Sequence, residues 1–197
     1  MAAGLVMDDV STSDEALVAQ VAGGNQRALR LLMDRHMARA IRLADRMTGS
    51  TSHGDEIGQE AFVRVWHHAG RFDPGRARFS TWLYQIVVNL ALDRRRRRQH
   101  APLDFAQHVA STEESGEDRL LRDERERLAA AALATLPDRQ RAAIALFYHE
   151  GLSGREGAAV LDVSEKSFES LLSRGRAACR QFVAEHTRAL EKKNEQG

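Results

Sequence analysis

Apolar residues recur every three to four positions along most of the chain, which is the period of an amphipathic α-helix. A short stripe of Leu17, Val18 and Val21 begins just after Ser13, a residue type that caps helix N-termini. A longer pattern follows and ends at Gly49. These two segments predict a short helix and a long helix.

Two further helices are predicted before residue 100. Ile57, Ala61 and Val65 form one face of the third helix, and the stretch from Ser52 to Asp55 resembles a capping box. The turn-forming residues 73–75 separate it from a fourth helix, which we expect from about residue 80 to residue 99.

The second half of the chain predicts more helices and a helix-turn-helix. Residues 101–118 contain scattered Pro, Ser and Gly and are interpreted as a linker. A charged helix then ends at Pro137, and the next ends at Gly151. Ser153 and Glu156 have capping-box spacing, and Ser164 is the expected N-cap of the last helix. The inward stripe of that helix consists of Phe168, Leu171, Leu172 and Gly175.

The predicted fold class is all-α, with two small helical domains joined by a flexible acidic linker. The boundaries are a flexible N-terminus at 1–12, a first domain at 13–100, the linker at 101–118, a helix-turn-helix domain at 119–186 and a charged tail at 187–197. Three prolines and few β-branched clusters favour helix over sheet throughout.

Composition excludes several classes of protein. Cys179 is the single cysteine, so neither a disulfide framework nor a structural zinc site is expected. The N-terminus lacks the basic and apolar regions of a signal peptide. The longest apolar run lies within Trp82–Leu92 and is far shorter than the roughly 20 residues that cross a bilayer. A cytoplasmic protein without metal or cofactor is expected.

Charge is unevenly distributed in a chain whose net charge is only +1. Residues 64–100 contain nine arginines and two aspartates, a net charge of +7, whereas the linker 101–118 carries −5. The arginine run has two interpretations: a soluble helix end that interacts with the helix dipole, or a phosphate-binding surface. The linker is either simply solvated or a mimic of nucleic acid.

Aromatic residues beside the arginines favour nucleic acid. Phe72, Phe79, Trp82 and Tyr84 are interleaved with basic residues. Aromatic rings suit contact with unstacked bases because every base has a π-face. Core packing is the alternative, which we favour for Phe79, while Trp82 is compatible with both roles.

Two segments together resemble a known family. "DEIGQEAFVRVWHHAGRFDPGRARFSTWLYQIVVNLALDRRRRR" resembles region 2 of the sigma-70 family, specifically its extracytoplasmic function (ECF) group. "LPDRQRAAIALFYHEGLSGREGAAVLDVSEKSFESLLSRGRAACR" is similar to region 4. The two segments stand in the family's order, about forty residues apart. With the helices between them they cover residues 13–185.

The resemblance implies a non-enzymatic promoter-specificity subunit of bacterial RNA polymerase. Its implied partners are core polymerase, through the β′ clamp helices and the β flap, promoter DNA and an anti-sigma factor, with no membrane and no small-molecule substrate. The implied polymerase-binding residues are Asp55, Glu56, Gln59 and Glu60. The implied residues for the −10 element are Arg71, Arg76, Arg78, Trp82, Gln85, Asn89, Arg94, Arg95, Arg96, Arg97 and Arg98.

Region 4 of the family places its second helix in the major groove of the −35 element. The corresponding residues are Ser164, Lys166, Glu169, Ser170, Ser173, Arg174 and Arg176. Four positions depart from the family pattern. This chain has Gly157 where the family usually has an aliphatic residue, and Asp162 where it has the turn glycine. It has Phe168 in place of a small β-branched residue and Glu169 in place of a frequent lysine.

Three other functions are alternatives to this one. An enzyme is disfavoured because no phosphate-binding loop or catalytic motif is present, so we expect neither catalytic nor metal-binding residues. A stand-alone helix-turn-helix regulator would bind operator DNA without polymerase, but it usually carries a sensor domain. A protein that sequesters a polymerase subunit would not need the segment of charge +7.

Overall fold

A computed structural model describes residues 12–49, 53–100 and 127–194, and in these ranges every regular element is a helix, which confirms the all-α prediction. The α-helices are α1 (Asp14–Ala22), α2 (Gln26–Thr48), α3 (Gly54–His68), α4 (Phe79–His100), α5 (127–135), α6 (Asp138–Ile144), α7 (Gly154–Leu161) and α8 (Glu165–Asn194). A 3₁₀ turn (Ala69–Arg71) follows α3, and a π-helical turn (Ala145–His149) continues α6. No helix of the described ranges is long and apolar enough to cross a membrane.

Helix boundaries in the first half follow the local sequence signals. The Ser13 hydroxyl accepts a hydrogen bond from the Ala16 N–H at 3.2 Å and caps α1 as predicted. The Asn25 side chain caps α2. Gly49 ends α2 in the left-handed conformation, with φ of 69°, which glycine adopts at little cost.

Helix α3 begins differently from the expectation. Its N-cap is His53, whose side chain makes no capping hydrogen bond, and Ser52 lies outside the described residues. Asp45 of α2 instead accepts a hydrogen bond from the Gly54 N–H. Burial is the largest influence on this carboxyl group and raises its pKa to about 6. A Cβ at residue 54 would lie 2.3 Å from Asp45 Oδ1, so this contact requires glycine.

The core of α1–α4, which we call the N-terminal unit, lies where α2, α3 and α4 pack together. Leu32 and Leu43 of α2, Val65 of α3 and Leu83 and Val87 of α4 are completely buried. The apolar middle of α4 is therefore a core-facing surface.

The C-terminal unit, α5–α8, is organised around a buried arginine that the sequence did not reveal. Arg141 of α6 is fully buried and donates hydrogen bonds to the carbonyl oxygens of Leu133, Ala134 and Leu136 at 2.7 to 2.9 Å. These are carbonyls at the C-terminal end of α5, where helices leave acceptors without intrahelical donors. Burial lowers the pKa of Arg141 to about 10, so the guanidinium remains charged at neutral pH.

The helix-turn-helix is confirmed. Two of the residues that depart from the family pattern, Gly157 and Phe168, are sterically complementary. A Cβ on Gly157 of α7 would lie 2.2 Å from Cζ of Phe168 in α8, so glycine makes room for the large ring. Asp162 ends α7 with φ of 51°, the left-handed conformation expected at the turn. The predicted capping box of Ser153 and Glu156 is present.

The two units are packed against each other. Helix α4 lies against α7, and α2 lies against α6. Arg141 donates to the Met47 carbonyl of α2 at 2.9 Å, and Arg46 forms an ion pair at 3.5 Å with Glu150, whose side chain is only 3% exposed. The predicted linker 101–118 lies outside the described residues.

Candidate nucleic-acid interface

The loop between α3 and α4 presents exposed arginines. Arg71, Arg76 and Arg78 are all exposed, and none is buried by the core. Asp73 Oδ1 accepts from the Gly75 N–H at 2.9 Å and stabilises the turn that carries Arg76. The loop is therefore a positively charged surface on an ordered turn.

The four aromatic residues divide into two pairs. Phe79 and Tyr84 are 0% and 1% exposed, so Phe79 is a core residue as favoured, and grouping Tyr84 with base-contacting aromatics was wrong. Burial is the main cause of the raised pKa of the Tyr84 hydroxyl, followed by the nearby carboxylate of Glu150. Trp82 is half-buried, with its ring 5.3 Å from that of Phe72 and 6.2 Å from that of Phe79. One side of the indole is thus held by the core while part of it remains accessible.

The polar residues of α4 share a face with Trp82. Gln85 is partly exposed and Asn89 is exposed, and their positions three and seven residues after Trp82 place them on one side of the helix. This side joins the exposed loop of Arg76 and Arg78 to the arginine run. Trp82, Gln85 and Asn89 therefore form one partly exposed face of α4.

Several arginines of the run are already paired. Arg94 forms an ion pair with Glu56 and lies 3.3 Å from His53 Nδ1, and Arg96 pairs with Asp93 at 3.0 Å. Arg97 is exposed, and the side chain of Arg98 lies outside the described part.

Arg95 is paired with the other unit. Its Nε lies 2.7 Å from Asp138 Oδ1 of α6, but the N–H is not directed at a hydrogen-bond acceptor, so this contact is electrostatic. Arg78 is 80% exposed and lies 3.9 Å from Glu156 of α7. The C-terminal unit thus places carboxylates beside arginines that were predicted to contact phosphate.

The predicted polymerase-binding residues line the outer face of α3. Asp55, Glu56, Gln59 and Glu60 are all exposed. Glu60 pairs with Arg64 at 3.0 Å, four residues later on the same helix, and exposed pairs of this kind contribute little to stability. The acidic groups are therefore accessible to a basic partner.

An apolar groove beside these residues was missed in the sequence analysis. It has a volume of about 670 Å³ and lies between α2 and α3. Its apolar lining consists of Leu29, Met33, Phe62, Val63 and Trp66. Val63 is 49% exposed. Phe62, Val63 and Trp66 form a second apolar stripe on α3, beside the inward stripe, and this repeat was the available signal.

The outer face of α8 is the second candidate surface. Phe168 and Leu172 are buried, and a Cβ on Gly175 would lie 2.9 Å from Ile144, so these positions fix the inward side. The predicted residues Ser164, Lys166, Glu169, Ser170, Ser173, Arg174 and Arg176 are all exposed. The Ser164 hydroxyl accepts from the Ser167 N–H at 3.2 Å, so it is engaged as the predicted helix cap.

Comparison with known protein families gives two matches, one for each of the two units. Residues 32–101 match the family described as Sigma-70 region 2. Residues 126–179 match the family described as Sigma-70, region 4. The first match covers most of α2 and all of α3 and α4, and the second covers the helix-turn-helix.

Curated relatives are similar over most of the chain. The ECF RNA polymerase sigma factor SigE of Mycolicibacterium smegmatis is 35% identical over 193 residues, which cover 91% of this chain and 73% of the relative. The ECF RNA polymerase sigma factor SigW of Bacillus subtilis is 32% identical, with coverage of 83% and 92%. A solved structure of CnrH in complex with the cytosolic domain of CnrY is 33% identical, with a TM-score of 0.67 and coverage of 88% and 98%.

Proposed function

The chain belongs to the sigma-70 family of RNA polymerase sigma factors, in its ECF group, and from this membership we propose that it contacts a promoter through two separate surfaces. The surface of the α3–α4 loop and α4 binds and opens the −10 element. The outer face of α8 binds the −35 element in the major groove. Both surfaces act while the chain is bound to core polymerase.

The observation that carries the −10 proposal is the half-buried Trp82 beside exposed arginines. A protein that separates DNA strands has to hold bases after they leave the stack. An indole fixed on one side by Phe72 is preorganised to stack against such a base, and Gln85 and Asn89 supply hydrogen-bonding groups on the same face. Arg76, Arg78 and Arg97 supply the phosphate contacts.

Binding to core polymerase is assigned to α3. Asp55, Glu56, Gln59 and Glu60 give a charged and polar rim, and the groove at Phe62, Val63 and Trp66 gives an apolar centre. An apolar centre with a polar rim is typical of a specific protein interface. We propose that this face docks on the β′ clamp helices and that the C-terminal unit contacts the β flap.

An anti-sigma factor is the further partner that we propose. CnrH, a 34% identical sigma factor of Cupriavidus metallidurans, has been solved in complex with the cytosolic domain of CnrY. The same acidic and apolar face of α3 would be open to an inhibitor that competes with polymerase. We propose no catalytic activity and no cofactor, because the proposed surfaces would act by binding alone.

A binding experiment distinguishes a stand-alone regulator from a sigma factor. Duplex promoter fragments are mixed with the protein alone, with core polymerase alone and with both, and retained complexes are measured by gel mobility. We expect a competitor-resistant complex only when protein and core are both present. A sequence-specific complex with the protein alone, unaffected by core, would identify a regulator instead.

The α3 surface is tested in the same assay. Glu56→Lys together with Gln59→Ala should weaken binding to core at least tenfold by removing acidic and polar contacts from the rim. Glu185→Lys, a charge reversal on the exposed part of α8, is the control and should leave core binding unchanged. Equal binding by all three proteins would show that α3 is not the docking face.

A further inference from the structure

Glu169 is a carboxylate at the centre of a surface proposed to face DNA. It is the fifth residue of α8, and its immediate neighbour Phe168 is buried with 0% exposure. Lys166 and Ser173 lie three residues before and four residues after it, so the three side chains are neighbours on the helix surface. The N-terminal half of a recognition helix is the part that reaches base edges.

No group of the described chain neutralises this carboxylate. Glu169 is exposed and makes no hydrogen bond or ion pair with any described residue. Glu165, one turn earlier, has a different orientation. Its carboxylate lies beside Gly154, with Oε1 only 3.3 Å from where a Cβ on that glycine would be. Glu165 is therefore turned towards the start of α7, whereas Glu169 is available on the outer face.

A carboxylate near DNA is repelled by phosphates unless it accepts hydrogen bonds from a base. In the major groove the N4 amino group of cytosine is a donor that a glutamate side chain accepts. We infer that Glu169 is a specificity-determining residue that selects cytosine at one position of the −35 element. This inference rests on the proposed binding of α8 to that element.

The neighbouring side chains fit this role. Lys166 provides a positive charge on the same face for an adjacent phosphate or guanine. The small side chains of Ser170 and Ser173 leave space for the helix to approach the groove closely. Arg174 donates from Nε to the Ser170 carbonyl at 3.3 Å and makes no ion pair with Glu169 among the described residues.

The test uses the full chain bound to core polymerase and a promoter library randomised in the −35 element. Bound fragments are recovered and sequenced for wild type, Glu169→Gln, Glu169→Ala and Glu165→Gln. Wild type should prefer cytosine at one position by about 5- to 100-fold, the range expected for one specific base contact. Glu169→Gln should change that preference to adenine, whose N6 and N7 match a glutamine side chain.

Three results separate the inference from the proposed function. Loss of the cytosine preference in Glu169→Ala, with the preference retained in Glu165→Gln, supports the role of Glu169. If wild type selects a −35 sequence that neither Glu169 variant changes, the inference is wrong while the proposed function stands. If wild type enriches no upstream sequence at all, both fail. Core binding and circular dichroism confirm that each variant is folded.

Discussion

Gly157 and Phe168 show how one residue's effect depends on another. Glycine inside α7 would normally weaken a helix by about 1 kcal/mol relative to alanine. Here a Cβ at residue 157 would lie 2.2 Å from the Phe168 ring, well inside van der Waals contact. Glycine is therefore present at this position of α7, despite its low helix propensity, because the Phe168 ring occupies the space that a Cβ would need.

We predict that Gly157→Ala destabilises the protein, against its helix propensity. Overpacking of this kind typically costs about 1 to 3 kcal/mol. Phe168→Val removes the clash, so the double variant should be less destabilised than the sum of the two single variants by about 1 kcal/mol or more. Chemical denaturation of all four proteins measures this coupling. A stabilised Gly157→Ala protein, or purely additive effects, would contradict the packing described here.

Residue-scale features were unevenly predictable from sequence. Ser13, Ser153 and Asp162 were predicted correctly, because caps and left-handed turns depend on local chemistry. Arg141 was not identified, because a periodicity analysis assigns a charged residue to the surface. Its burial depends on carbonyl groups of α5 and on Met47 in α2, and the sequence does not reveal that they meet.

At the scale of elements, the contact between the end of α2 and the start of α3 is sensitive to pH. Burial, the Gly54 N–H and Asp55 all influence the Asp45 carboxyl group, and burial dominates to give a pKa of about 6. Because this value lies above the unfolded value of 3.8, the folded protein binds the proton more tightly than the unfolded chain. Stability from this group is therefore greatest below about pH 4 and declines as the pH rises towards 6.

Asp45→Asn should remove this loss of stability. The amide oxygen still accepts a hydrogen bond from Gly54, but no charge has to be buried and none is repelled by Asp55. At pH 7 we expect a melting temperature a few degrees higher than that of wild type, since 1 kcal/mol corresponds to about 2 to 4 °C in a protein of this size. Thermal unfolding from pH 4 to pH 7 measures the effect. If the difference between the two proteins is the same at every pH, Asp45 does not titrate as described.

Most helices were predicted at this scale, whereas their outer surfaces were only partly predicted. The stripe that faces the core dominates the pattern of α3, so the second stripe at Phe62, Val63 and Trp66 was not recognised as a separate surface. On α4, Tyr84 is buried beside Glu150 of the C-terminal unit, whereas Trp82 is half-buried against Phe72 and Phe79. The sequence therefore predicted which helices carry the proposed DNA and polymerase surfaces, whereas the burial of individual side chains such as Tyr84 depends on tertiary packing.

At the scale of the whole molecule, the packing of the two units limits how the protein can bind a promoter. Elements centred near −10 and −35 are about 25 base pairs apart, or roughly 85 Å at 3.4 Å per base pair. Helix α4 lies directly against α7 of the other unit. The binding that we propose, with α4 on one element and α8 on the other, would therefore require the two units to separate, which would break the contacts of Asp138 with Arg95 and of Arg141 with Met47.

We predict that Asp138→Asn favours separation of the units. The substitution keeps the side-chain shape but removes the ion pair with Arg95. Small-angle scattering of the free chain should show a larger radius of gyration, and salt should expand wild type towards the same value by screening the pair. Glu185→Gln removes one charge from the exposed part of α8 and should not change the radius. Identical radii for all three proteins at every salt concentration would contradict this role for Asp138.

The central claim is that this protein gives core RNA polymerase the ability to start transcription at specific promoters. The direct measurement is in vitro transcription of fragmented genomic DNA from the source bacterium by core polymerase with and without the protein, followed by mapping of RNA 5′ ends. We predict discrete start sites that appear only with the protein, that share sequence elements near −10 and −35, and that weaken strongly in Trp82→Ala. Start sites that are the same with core alone, despite measurable binding to core, would contradict the account.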